Sequence, residues 1–273
     1  MSTNKERGQV LLIIILVMVI ALTVGLSFIS RSITTLRTSR EEASSQKALA
    51  AAEAGIEELL KANIEVPLFT DSVSPDTTYT ASSIEVSGAN LLIQGGNNVL
   101  KDEGADIWLV AHNPDGTLNF TTPPPWSGNL TIFWGSSSDV CDPDPAINTM
   151  AAIEVVVISG SQVSPILTRY TYDPCLSRRS NNNFSPSSPG GVVSGKSFAF
   201  SAALPLITSG LVVRVVPLYK GSSIGVTASA DLPSQGIDID STGDSGGTQR
   251  KISVFKGYPQ LPIQYFSYGL FSP

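Results

Sequence analysis

Histidine occurs once and cysteine twice in the 273 residues, and charged side chains make up only 15% of them. One imidazole and two thiols do not make a usual zinc site, so no metal is expected. The 17 Lys and Arg against 23 Asp and Glu leave a net charge of -6. Bulk charge therefore offers no broad attraction for nucleic acid or anionic lipid. No phosphate-cradling glycine loop precedes a lysine, and no dinucleotide fingerprint opens a helix, so no cofactor is expected either. What the chain has is apolar residues, 42% of the total, over a length sufficient for one good-sized core.

Charge is also unevenly placed. Before Asn63 there are seven basic and six acidic residues, and after it ten basic and seventeen acidic, so the acidity belongs to the second part. From Gln9 to Ser30 no residue is charged, and Val10 to Leu22 contains nothing more polar than Met18. An apolar helix of that length crosses a bilayer. The apolar region of a cleaved secretory signal, about 7–15 residues, is shorter.

A second helical pattern follows from Arg31 to Lys61, with no Pro and the single glycine Gly55. The two read as one helix from Gln9 to about Ala62, roughly 80 Å long, of which a bilayer takes about 30 Å. Leu49, Ala52, Ile56 and Leu59 recur at steps of three and four and so share a docking face, while Glu53, Glu57, Glu58 and Lys61 lie mostly away from it. That face covers either the chain's own globular part or other helices of an assembly. Arg31, Arg37 and Arg40 after the span outnumber Lys5 and Arg7 before it, which by positive-inside counting favours a cytoplasmic C-terminus. The short basic N-terminus is nevertheless the easier end to retain, and the second part reads as exported.

Beyond Val66-Pro67, short runs rich in Val, Ile, Tyr and Phe alternate with Pro, Gly, Ser, Thr and Asn, the pattern of antiparallel sheets. Expected strands are 79–86, 106–111, 129–134, 151–158, 166–172, 192–200, 211–218, 225–230 and 250–255. The continuous Val155–Ile158 run marks a central strand. Residues 72–78 and 177–191 read as linkers, and a subdivision near Pro189 is open. The fold class is thus α+β: a long N-terminal helix over 9–63, then a β-rich domain over 64–273, closed by the aromatic stretch Tyr265–Phe271. Cys141 and Cys175, 34 positions apart in turn-rich contexts, are expected to form a disulfide worth about 3–4 kcal/mol in the chain-entropy model.

Catalytic patterns are few. Gly243-Asp244-Ser245-Gly246-Gly247 looks like the nucleophile loop of chymotrypsin-like serine proteases, and His112 is the one available base. Thr248 stands where that family has proline, and no intermediate aspartate stands out, so a hairpin loop accounts for the string. Asp238, Asp240 and Asp244 offer oxygens but lack the spacing and closing Glu of a calcium loop. Arg178 and Arg179 beside Asn181–Asn183 are a basic loop of the kind that meets a nucleic-acid backbone or simply water.

Two segments carry a resemblance. Lys5-Glu6-Arg7-Gly8-Gln9 before the apolar run resembles the class III signal of type IV pilins, and Ala48-Leu49-Ala50-Ala51-Ala52-Glu53-Ala54-Gly55-Ile56-Glu57 resembles the segment closing the N-terminal helix of PilX-like pilus assembly proteins. With the helix between them they span about a fifth of the chain. The resemblance implies a leader over 1–8, cut by a prepilin peptidase between Gly8 and Gln9. It also implies storage in the cytoplasmic membrane with the C-terminal domain exported, and assembly among other pilin or pseudopilin helices. Ile13 would then be the fifth mature residue, where major pilins carry a glutamate thought to pair with a neighbour's amino terminus. Its absence resembles minor subunits that initiate, cap or modulate the fibre. The expected function is that of such a non-enzymatic minor subunit. The alternatives are a single-pass surface protein or adhesin and an anchored serine hydrolase.

Overall fold

A computed structural model of the chain describes residues 6–62, 65–113, 115–142, 147 and 149–260, with side chains from residue 11 onward. Helix α1 (Glu6–Ala62) is continuous over 57 residues, about 85 Å at 1.5 Å per residue. Among the described residues it is followed by β1 (Val66–Ser74), β2 (Thr77–Glu85), β3 (Gly88–Leu92), β4 (Asn98–Val99), β5 (Ala105–Trp108), β6 (Ala111–His112) and β7 (Leu118–Asn119). Then come β8 (Trp126–Gly128), β9 (Leu130–Trp134), β10 (Ala152–Ser161), β11 (Ser164–Tyr172) and the short helix α2 (Leu176–Asn182). The remaining strands are β12 (Ser188–Pro189), β13 (Val192–Val193), β14 (Lys196–Ser197), β15 (Phe200–Ala203), β16 (Ile207–Leu218), β17 (Ser222–Leu232), β18 (Gly236–Ser245) and β19 (Thr248–Gly257). A long apolar helix followed by a mostly antiparallel β-rich region is therefore the architecture.

The chain forms two compact units, the first made of Met1–Gly55, Thr70–Ala81 and Ser241–Ile252. Its centre is a contact between small residues. Ala48, Ala51 and Ala52 on the helix are fully buried, and alternate residues of β18, Ser241, Gly243 and Ser245, turn inward, as the two-residue period of a strand requires. A Cβ added to Gly243 would lie 1.9 Å from the Ala48 carbonyl oxygen and 2.7 Å from the Ala52 nitrogen. One added to Gly55 would lie 2.4 Å from Ser241 Oγ and 2.7 Å from the Tyr79 ring. At Gly243 backbone meets backbone, whereas at Gly55 the helix backbone meets the Ser241 and Tyr79 side chains. The hairpin closes through Gly246 and Gly247, at φ 57° and 79°; both values are positive, as a two-residue type I′ turn demands. Arg250 Nε donates to Ser45 Oγ at 2.8 Å.

The second unit, Ile56–Phe69, Ser82–Asp240 and Ser253–Pro273, is built on two antiparallel sheets. One has the order β11-β10-β16-β5 with β8 also on β16, the other β12-β15-β9-β17-β3 with β4 also on β17. Ile153, Val155, Val157, Val213 and Val215 from the first meet Leu130, Ile132, Trp134, Ile224 and Val226 from the second in one core. Each such side chain contributes about 1.5–3 kcal/mol on leaving water. The Val155–Ile158 run is central, with β10 paired to β11 on one side and β16 on the other. Behind the first sheet, Arg214 Nε lies 3.4 Å from Asp106 Oδ1 with both side chains buried. Gly104 makes room for that guanidinium, since a Cβ there would sit 2.0 Å from Nε.

Several expectations need correction. Residues 72–78 are no linker but the turn region of the β1–β2 hairpin, and 177–191 contains α2 and β12. Around Pro189, β12 pairs with β15 inside the six-stranded sheet. The single strand expected over 192–200 is three short ones, interrupted by a left-handed turn at Ser194 and Gly195 with φ 45° and 80°. Strands β1 and β18 are masked in the sequence by their polar residues, and β3 by its brevity. The aromatic stretch Tyr265–Phe271 lies outside the described residues.

The small-residue contact is directly testable. Gly243→Ala should lower the thermal unfolding midpoint of the detergent-solubilised chain, at an overpacking cost of about 1–3 kcal/mol. Gly25→Ala, with nothing within 4 Å, is the matched control and should not lower it. An unchanged midpoint for Gly243→Ala would contradict the contact.

Candidate functional site

The longest uncovered surface is helical. Every large apolar side chain from Leu11 to Leu36 is exposed, Met18 and Phe28 by 70%, and the helix is long and apolar enough to cross a membrane. Thr34, Thr35 and Thr38 return their hydroxyls to the carbonyls of Ser30, Arg31 and Thr34. These polar side chains are thereby satisfied within the helix itself. Gly8 and Gln9 fall in the first turns of α1, and their side chains are outside the described set.

The docking face is shifted from its expected position. Ala52, Ile56 and Leu59 are buried, at 0, 6 and 1% exposure, whereas Leu49 is 43% exposed. The face begins at Ala48 rather than Leu49, because close approach to Gly243 selects the smaller side chain over the more hydrophobic one. Ala52 is spent on this chain's own strand β18 and so is not free to meet another helix. The apolar side chains from Leu11 to Leu36 stay exposed among the described residues.

The protease-like string is structural. Ser245 is 3% exposed and its hydroxyl lies 3.0 Å from that of Thr77. The neighbouring glycines form the β18–β19 turn. His112 has other partners: its ring stacks on Tyr258 at 3.7 Å and meets Trp108 edge-on at 4.6 Å. Asp240 accepts from Ser253 Oγ and Asp244 from Gln249 Nε2. Burial, then the charge of Asp240, raises the pKa of Asp238. Among the described residues no group of three or more His, Cys, Asp or Glu is placed to hold a metal.

Comparison with protein-family models and with curated proteins finds no match. The site residues are therefore judged on their chemistry alone.

Cys141 and Cys175 are joined in a disulfide, beside a polar network that spacing did not reveal. Asp173 is fully buried and accepts from Arg178 Nη2 at 2.7 Å, Arg178 Nε at 3.0 Å and Asn182 Nδ2 at 2.9 Å. The same guanidinium donates to the Met150 carbonyl and lies 4.2 Å over the Tyr219 ring. Arg178 is thus a fastening for the 173–182 segment, not a solvated cation awaiting a phosphate.

A cleft of about 450 Å³ lies in the second unit, lined among others by Glu65, Glu85, His112, Asp115, Lys256 and Tyr258. These residues come from segments far apart in the chain, so no local motif announces them. Burial lowers the pKa of His112 from 6.5 to about 4. The unfolded chain takes up this proton near pH 6.5 and the folded chain only near pH 4, so acidification across that interval favours unfolding. The unfolding midpoint should fall between pH 6.5 and 4, and less steeply in His112→Phe, which keeps an aromatic ring but cannot titrate. Parallel pH profiles for the two proteins would rule out a half-buried neutral imidazole.

Proposed function

We propose that this chain is a non-enzymatic, pilin-like minor subunit. In this reading it is held in the cytoplasmic membrane by the exposed apolar half of α1, with the β-rich part exported. It then enters a type IV pilus or related assembly by that same surface and helps to initiate, cap or modulate it. The observation that carries the reading is the division of labour along one helix. From Ala48 onward one face is covered by the chain's own contacts, among them the small-residue contact at Gly243, while residues 11–30 present only uncharged, exposed side chains to an external apolar partner. A bilayer and a bundle of similar helices both supply such a partner.

The sequence resemblances at Gly8-Gln9 and at 48–57 add direction to that surface. Lipid and the prepilin peptidase would be met first, and other pilin or pseudopilin helices afterwards. Ile13, apolar where major pilins have a glutamate, fits a subunit that needs no charge pair above it in the fibre. The burial of Ser245 and its bond to Thr77 speak against a serine hydrolase, whose nucleophile must be open to substrate and beside its base. A single-pass surface protein shares the anchor but not the processing.

Processing is therefore the test. Membrane-extracted protein should have a mature N-terminus at Gln9 by intact mass and N-terminal sequencing, and should retain residues 1–8 in cells lacking the prepilin peptidase. Retention of those residues in both strains would overturn the pilin reading in favour of the anchored surface protein.

A further inference from the structure

The cleft beside His112 is rich in hydrogen-bond acceptors and short of free donors. Lys256 Nζ is spent on the Leu60 carbonyl at 2.9 Å. The Ser234 hydroxyl donates to the Gly236 carbonyl at 3.2 Å, and Asn113 Nδ2 to Thr117 Oγ1 at 2.9 Å. Asp115 is engaged by the Thr117 amide and hydroxyl. The carboxylates of Glu65 and Glu85, by contrast, are exposed and have no partner among the described residues. Nδ1 of His112 is buried and likewise unpartnered among them. The charged side chains lining the cleft are the carboxylates of Glu65, Glu85 and Asp115 against the one ammonium of Lys256, a balance that favours a positively charged occupant bringing its own donors.

The aromatic wall narrows the choice. Tyr258 lies parallel to His112, with 6° between the planes, and Trp108 buttresses the imidazole edge-on. Aromatic faces attract cations, and a planar guanidinium most readily because it stacks while donating sideways to carboxylates. Residues 261–273, which continue from this wall, carry no charged side chain, so that stretch supplies no internal cation. A volume of about 450 Å³ lies in the range of small-ligand sites and takes a long side chain with its flanking backbone.

We infer that this cleft receives a basic side chain, arginine in preference to lysine, from a partner polypeptide, drawn by Glu65 and Glu85 and laid against the Tyr258–His112 ring pair. The inference does not rest on the pilus reading and survives its failure. It makes the β-rich part a recognition module for basic polypeptide segments.

The test uses the full chain in detergent micelles, titrated calorimetrically with acetyl-Gly-Arg-Gly-amide and with its citrulline counterpart, which keeps the shape and loses the charge. The arginine peptide should bind saturably and the citrulline peptide at least about tenfold more weakly. The Glu65→Gln, Glu85→Gln double variant should lose at least about tenfold in affinity with an unchanged unfolding midpoint, since both side chains are exposed. Equal binding of the two peptides, or undiminished binding by the double variant, would overturn the proposal. So would saturable binding of N-acetylglucosamine without any of the arginine peptide, which would mark the ring pair as a sugar platform. Agmatine binding as tightly as the peptide would overturn the choice of a polypeptide source.

Discussion

The arrangement of this chain rests on an apolar helix surface that its described residues leave uncovered. From Leu11 to Leu36 the large side chains are exposed, and each would gain about 1.5–3 kcal/mol on leaving water. Such a surface is not stable as a solvated face, and its covering has to come from beyond the described residues. The second half of the same helix answers the opposite demand, since there the chain must cover itself. It does so with alanine and glycine instead of bulk.

That choice has a geometric consequence. Where Gly243 meets the backbone of Ala48 and Ala52, there is no side-chain layer to absorb error. The contact is therefore sensitive to single atoms in a way that the valine-rich sandwich of the second unit is not. Glycines at 243, 246 and 247 that resemble a catalytic signature are here the conditions for close approach and a tight turn. The serine between them is held by Thr77.

The second unit places its polar chemistry in closed and open settings. Arg214 with Asp106, and Arg178 with Asp173, are buried pairs whose charges are matched internally. Removing either partner of such a pair is far more costly than the pair is worth. The cleft by His112 is the open setting, where the exposed Glu65 and Glu85 carboxylates have no partner among the described residues. That asymmetry between closed and open polar groups distinguishes an interaction surface from a structural network.

The helix, its apolar half and the existence of a β-rich region were legible in the sequence because they depend on local composition and period alone. The disulfide was legible because two cysteines allow one pairing. Residues 236–245 were not legible as a strand, since their aspartates and serines read as a loop. What makes them a strand is the alternation of Ile237, Ile239, Ser241, Gly243 and Ser245 onto a buried face, and part of that face is small only because a helix backbone lies against it. Leu49 was preferred to Ala48 for the same reason: hydrophobicity can be read from one residue, whereas the space available to it depends on its neighbour. The cleft lies wholly beyond sequence reading, because Glu65, Glu85, His112 and Tyr258 become neighbours only when strands distant in the chain pair. Local periodicity determined the elements, and close packing between distant segments decided which of their faces remain free.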